Sequence, residues 1–154
     1  MRQPQGRKVV QRIQSDVANT VRNISDAPKK IPAHVLVVDD ERLVRWAVAE
    51  TLEARGYEVS EASDATSAMQ VVGAPASRAD LVLLDLFLPD SCDLRVLKFI
   101  RSCAPAIPVI LMTAFATPEI VEQAFALGAL VLIKPFDMSA LATLVDGTVA
   151  TRPS

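Results

Sequence analysis

The stretch Leu81-Val82-Leu83-Leu84-Asp85 restricts the fold more than any other part of the chain. Four consecutive apolar residues without helical spacing suit a strand buried on both faces, the condition of a central strand in a parallel sheet. Such a sheet needs a helical layer on each side, and in open sheets of this kind ligands gather beyond the carboxyl ends of the strands. Asp85, where the apolar run stops, therefore stands at the edge where chemistry is expected.

The flanking segments repeat the pattern. His34-Val35-Leu36-Val37-Val38 is a short apolar strand that runs into Asp39-Asp40-Glu41. Leu43, Trp46, Ala47 and Leu52 then recur at helical spacing, which places Trp46 in the core, and Gly56 is a natural stop. Tyr57 to Ala62 alternates as a strand near a sheet edge does, and Asp64 can cap a helix running to Val72. Beyond the turn at Pro89-Asp90-Ser91, Leu94, Leu97 and Ile100 mark a helix that ends before Pro105. Val109-Ile110-Leu111-Met112-Thr113 reads as a fourth strand; Thr117-Pro118 opens a helix that Gly128 closes. Leu130-Val131-Leu132-Ile133 is a fifth strand, and a last helix covers about 137–149. Five strands alternating with five helices predict an α/β fold with one parallel sheet, right-handed crossovers and helices on both faces. At 51% hydrophobic residues and a mean hydropathy of +0.30, the chain has the apolar content for one such core.

Four of the five strands deliver a candidate residue to the carboxyl end: Asp39 and Asp40 from the first, Asp85 from the third, Thr113 from the fourth and Lys134 from the fifth. Three carboxylates at one edge repel and raise one another's pKa unless a cation sits among them. Oxygen ligands without His or Cys select a hard ion, Mg²⁺ foremost. A hydroxyl and an ammonium facing that ion make room for an anion with tetrahedral oxygens. These are the parts that phosphoryl transfer uses, with Asp85 as a carboxylate able to form an acyl phosphate.

Val38-Asp39-Asp40-Glu41, Leu84-Asp85-Leu86-Phe87-Leu88-Pro89, Met112-Thr113-Ala114 and Lys134-Pro135-Phe136 together resemble the receiver domains of two-component response regulators over about residues 34–150. The resemblance implies a flavodoxin-like (βα)5 doubly wound sheet with strand order 2-1-3-4-5. It implies that Asp85 accepts phosphate from a sensor histidine kinase or phosphotransfer protein, and that Asp40, Asp85 and the backbone oxygen of Phe87 hold Mg²⁺, with Asp39 assisting through water. Thr113 and Lys134 would hold the phosphoryl oxygens, beside a cis Lys134-Pro135 peptide. Such a chain is a signalling phosphoacceptor rather than an enzyme, catalysing only its own phosphorylation and dephosphorylation. It acts by phosphorylation-dependent binding to an output protein, standing alone or within a longer regulator.

Several positions depart from that family's pattern. Val131 stands three residues before Lys134, where the family commonly has an aromatic ring that swings inward. The segment from Gly128 to Lys134 is one residue short, which predicts a tight entry to the fifth strand. Asp93 replaces a common glycine and must avoid, or tolerate, positive φ. Phe87 and Phe115, two residues beyond Asp85 and Thr113, are apolar where the family is usually polar; their rings are expected to restrict the water that attacks the acyl phosphate. Val131 and Asp93 favour an alternative, a constitutive interaction module of receiver fold that works without phosphorylation.

Charge divides the chain in two. Residues 1–33 hold seven bases against two acids, +5, which leaves −7 for the remainder of a chain whose total is −2. Val9, Ile13, Val17, Val21 and Ile24 predict an amphipathic helix over 7–26, followed by the linker Pro28-Lys29-Lys30-Ile31-Pro32; residues 151–154 form a short tail. This extension suits docking, surface binding or homodimerisation. Five net charges without a recognised motif do not predict direct nucleic-acid binding. Two cysteines without paired spacing, no secretion signal and no bilayer-length apolar stretch predict a cytoplasmic protein without a membrane span.

Overall fold

The computed structural model describes residues 11, 12, 14–16 and 31–152; most of the helix expected over 7–26 and of the linker after it lies outside the described residues. The chain divides into two compact units, residues 1–31 and 32–154. The second holds strands β1 (His34–Val38), β2 (Glu58–Ala62), β3 (Leu81–Asp85), β4 (Val109–Thr113) and β5 (Leu130–Ile133). They alternate with helices α1 (Arg42–Glu53), α2 (Ala65–Gly73), α3 (Arg95–Cys103), α4 (Pro118–Ala126) and α5 (Met138–Ala150). All strand pairs are parallel, in the expected order β2-β1-β3-β4-β5.

Strand alternation sorts the core into two layers. Leu36, Val38, Val82, Leu84, Val109 and Leu111 face one side with Ala68 and Val72 of α2 and Leu97 and Ile100 of α3. Val35, Val37, Leu81, Leu83, Ile110 and Met112 face the other with Val48 and Leu52 of α1 and Leu141 and Val145 of α5. β3 and β4 are buried at every position, as an uninterrupted apolar run requires. Each fully buried aliphatic side chain contributes about 1.5–3 kcal/mol of transfer free energy.

The structure places Trp46 differently from the sequence expectation. α1 buries Val48, Ala49 and Leu52, and Trp46 lies on the opposite arc, 59% exposed, with Leu43 at 79%. At about 100° per residue the buried positions define one stripe, and position 46 falls outside it.

The tight entry to β5 is achieved by a glycine cap. Gly128 has φ of +72°, the Ala129 N–H donates to the carbonyl of Ala124 and the Gly128 N–H to that of Phe125, the paired bonds of a Schellman end. Asp93 bears no strain: among the described residues no non-glycine has positive φ. Its Oδ1 instead accepts from the Ser91 hydroxyl at 3.1 Å and the Arg95 N–H at 2.9 Å, so the residue fixes the entry to α3.

Candidate functional site

Parallel register brings the predicted residues to one edge. Val38 lies opposite Leu84 in neighbouring strands, so Asp39 and Asp85 sit side by side at the ends of β1 and β3, while Thr113 pairs with Ile133 and Lys134 follows from β5 at the same edge of the sheet. Asp39, Asp40 and Asp85 each offer a carboxylate oxygen within 4.8 Å of the others. Asp39 and Asp85 are buried, at 0% and 5% exposure, whereas Asp40 faces solvent.

Lys134 ties the two buried acids together. Its Nζ donates to Asp39 Oδ2 at 2.6 Å and to Asp85 Oδ2 at 3.2 Å, and stands 3.5 Å from Glu41 Oε1. The other oxygen of each acid is held by backbone: Asp39 Oδ1 by the Glu41 N–H at 2.9 Å, Asp85 Oδ1 by the Phe87 N–H at 3.1 Å. Burial is the largest influence on Asp85 and pushes its pKa up; the Phe87 N–H and Lys134 oppose this without overcoming it. Burial opposes the Lys134 ammonium as well, but the Asp39 hydrogen bond and the charges of Asp85 and Asp39 outweigh it and raise the lysine's pKa. The Lys134-Pro135 peptide is cis, as the resemblance implies.

Thr113 is fully buried, and its hydroxyl closes on the next loop: it accepts from the Phe115 N–H at 3.1 Å and donates to the Phe115 carbonyl at 3.0 Å. Phe87 and Phe115, 41% and 73% exposed, meet edge to face with ring centres 6.0 Å apart at 88°. Both rings line a cleft of about 350 Å³ together with Asp40, Asp85 and Lys134.

Two residues at this edge were not read from the sequence as part of the site. Arg45 donates from Nη1 to the Asp39 carbonyl at 2.8 Å and from Nε to Glu61 at 2.9 Å, fixing the end of β1 against β2. Asp90 reaches from the β3–α3 loop to the N-terminus of α2 and accepts from the N–H groups of Ala65 and Thr66 at 2.7 and 3.0 Å; the Ala65 bond foremost holds its carboxyl below the usual range. Glu61 lies 16 residues from Arg45, and Ala65 and Thr66 lie 25 and 24 from Asp90, so no local pattern announces these contacts.

Three converging carboxylates with no His or Cys among them fit a hard divalent cation. One ammonium serves the two buried acids while Asp40 takes no hydrogen bond from the described residues, so the edge has capacity for further positive charge.

Comparison with known proteins agrees with this geometry. The family model for the response regulator receiver domain matches residues 35–146. The chain is 35% identical over 128 residues to the transcriptional regulatory protein PdtaR of Mycobacterium tuberculosis, covering 82% of this chain and 61% of that protein. It is 33% identical to sporulation initiation phosphotransferase F of Bacillus subtilis, covering 68% of this chain and 83% of that one. A CheY-like receiver domain protein from Methanospirillum hungatei superposes with a TM-score of 0.75 at 24% identity, over 79% of this chain and 97% of that chain, a likeness of fold. On the strand order, the acid edge and the matched family model together, the chain belongs to the response regulator receiver family.

Proposed function

We propose that residues 34–150 form the phosphoacceptor of a two-component relay, with Asp85 taking a phosphoryl group from a phosphohistidine on a sensor kinase or phosphotransfer protein. The observation that carries this reading is a carboxylate 5% exposed at the end of the central strand, on the wall of an open cleft, with Lys134 Nζ at 3.2 Å and two further carboxylates within 4.8 Å. Asp39, Asp40, Asp85 and the backbone oxygen of Phe87 would hold Mg²⁺, which when bound supplies positive charge against the phosphoryl oxygens. Asp85 attacks phosphorus in line, the bond to the donor nitrogen breaks, and an acyl phosphate forms. Lys134, freed from one acid, follows the charge onto a phosphoryl oxygen, and the Thr113 hydroxyl donates to another. The similarity to a protein named a phosphotransferase supports this reading.

The output is binding to a protein partner, with residues 1–33 as a separate basic element and 151–154 as a tail. Exposed Leu43 and Trp46 on α1, and Phe125, Leu130 and Ile133 on α4 and β5, supply apolar area for such contacts. Among the described residues no helix is long and apolar enough to cross a membrane.

The test is intact mass after incubation with Mg²⁺ and acetyl phosphate, for the wild type and for Asp85→Asn. A gain of about 80 Da, one phosphoryl group, in the wild type alone supports the reading. The rival, a constitutive interaction module, draws on the half-buried Val131, which has no ring to move. Absence of any gain, with no Mg²⁺ binding, would decide for it.

A further inference from the structure

The outer face of α1 holds an apolar stripe that the described residues leave uncovered. Leu43 is 79% and Trp46 59% exposed, three residues apart and therefore on one side of the helix. Charged residues bracket that stripe in order. Arg42 lies four residues before Trp46 and Glu50 four after it, each about one turn away, and both are exposed, as is Glu53 beyond them. The nearby Arg45 and Arg55 are already paired, with Glu61 and Asp146, whereas Arg42, Glu50 and Glu53 make no salt bridge among the described residues. One face of α1 thus carries a cation, an apolar centre and an anion at even spacing.

We propose that α1 is a self-association surface for a second copy of this chain, the two helices lying antiparallel with Trp46 of each at the two-fold axis. In such an isologous pair one patch serves both copies, so residue 42 of one helix meets residue 50 of the other, and 50 meets 42. Arg42 then faces Glu50 of the second copy, with Glu53 within reach, and the contact is made twice. A parallel pair would set Arg42 against Arg42 and Glu50 against Glu50, so the charges choose the antiparallel arrangement. At the centre the two indoles meet and Leu43 of each copy packs beside them, an aromatic anchor inside a charged rim. With both signs on one face, α1 offers little net attraction to a strongly acidic or basic protein; it is complementary to itself. One pair of 12-residue helices, about 18 Å long, buries less than a standard interface, so the association is weak and reversible, between micromolar and millimolar. Glu41, the N-cap of α1, also lines the cleft of Asp85 and Lys134, so the second copy stands at the rim of that cleft.

Trp46 is the single tryptophan of the chain, so its fluorescence reports the contact directly. The full chain is followed by sedimentation equilibrium and by tryptophan emission from micromolar to millimolar concentration, for the wild type, Arg42→Glu, Glu50→Arg and the double variant; Trp46→Ala is followed by sedimentation alone. All three positions are exposed, so the fold should survive each change, which circular dichroism checks. The wild type is expected to dimerise as concentration rises, its emission moving to shorter wavelength as the indole leaves water. Trp46→Ala should raise the dissociation constant about tenfold or more, as loss of a central aromatic anchor does. Arg42→Glu sets like charge against two acids and should raise it about tenfold; Glu50→Arg, with Glu53 still opposite Arg42, about threefold. The double variant restores opposite charges in the same register and should bind at least about threefold more tightly than Arg42→Glu. A wild type that stays monomeric overturns the proposal and leaves the face to a different protein. A dimer that Trp46→Ala leaves intact overturns it too and places the contact elsewhere in the chain. Single reversals without effect, or a double variant no tighter than Arg42→Glu, overturn the pairing of residue 42 with residue 50 and the antiparallel dimer with it.

Discussion

Replacing Asp85 by asparagine, an isosteric change at the centre of the site, raises folding stability at pH 7 without Mg²⁺ by about 1–3 kcal/mol, the usual cost of an imperfectly compensated buried polar group. At an effective dielectric constant of about 20, two like charges 4.8 Å apart repel by roughly 3.5 kcal/mol, and an ammonium at 3.2 Å returns roughly 5 kcal/mol. Asp39 is buried and Asp40 exposed, so solvent screens the second repulsion more than the first, and the charge interactions of Asp85 come close to cancelling. What remains is the cost of burying an ionised carboxylate, the largest cause of the raised pKa of Asp85. Asparagine removes that cost, and Lys134 keeps Asp39 as a partner. The pH dependence has a definite sign. The folded protein holds the Asp85 proton more tightly than the unfolded chain does, so the stability this group lends is fully present below its ordinary value of 3.8 and is lost as pH rises through the raised folded value. Urea unfolding followed by circular dichroism from pH 3 to 8 should therefore show the two proteins converging at the acid end and separating above it, with equal slopes in denaturant. Mg²⁺ narrows the gap by binding the folded wild type, by about 1.4 kcal/mol at ten times its dissociation constant. A variant less stable than wild type at pH 7, or a gap independent of pH, refutes the reasoning.

Arg101, half-buried on α3, donates to the carbonyls of Leu127 at 2.5 Å and Ile107 at 2.6 Å, joining the end of α4 to the entry of β4. Arg101→Met should cost about 2–4 kcal/mol in urea unfolding, and Arg101→Lys should regain less than half of it, because an ammonium cannot span both carbonyls. Burial foremost, and then the Asp146 carboxylate, push the Tyr57 hydroxyl up to about 12 from 10.0. The stability tied to that proton is present below pH 10 and lost as pH rises through 12, so Tyr57→Phe should flatten the fall in the urea midpoint over that interval. Phe87→Ser admits water beside Asp85 and should shorten the lifetime of the acyl phosphate several-fold, measured by loss of phosphoryl mass after removing the donor; an unchanged lifetime would show that the ring does not limit hydrolysis.

The fold was legible because its signals are local. A run such as Leu81 to Leu84 tells strand from helix within itself, and Asp64, Thr117 and Asp137 all cap the helices that follow them. The edge was legible because parallel strands bring their last residues to one side, so reading off strand ends is enough to list Asp39, Asp85, Thr113 and Lys134. Trp46 was misplaced because Leu43, Trp46 and Ala47 share helical spacing with one another but not with the stripe of Val48, Ala49 and Leu52 that meets the sheet. Two apolar faces compete on α1, and only packing decides which one is covered. Asp93 was read as a backbone liability because φ is not written in the sequence; a short carboxylate that bonds its own loop keeps φ negative. Arg45 and Asp90 act across 16 and 25 residues, beyond any local pattern.

Thr113 and Val131 bear on one another. Thr113 presents no free hydroxyl to the cleft, since it gives its proton to the Phe115 carbonyl and takes one from the Phe115 N–H. Recruiting it to an anion on Asp85 means opening both bonds, at about 1 kcal/mol each net, and a ligand supplies that only through a difference in affinity between the two arrangements. In a receiver with a ring at position 131, the space that Thr113 leaves can be filled from β5. Here the residue is a valine packed on the core, too short to follow. The groups that lose their partner are instead the N–H and carbonyl of Phe115, whose ring rests edge to face against Phe87. Freeing Thr113 therefore unpairs the backbone of Phe115, so the residue that carries the most exposed apolar ring of the site is held in place by its most buried hydroxyl.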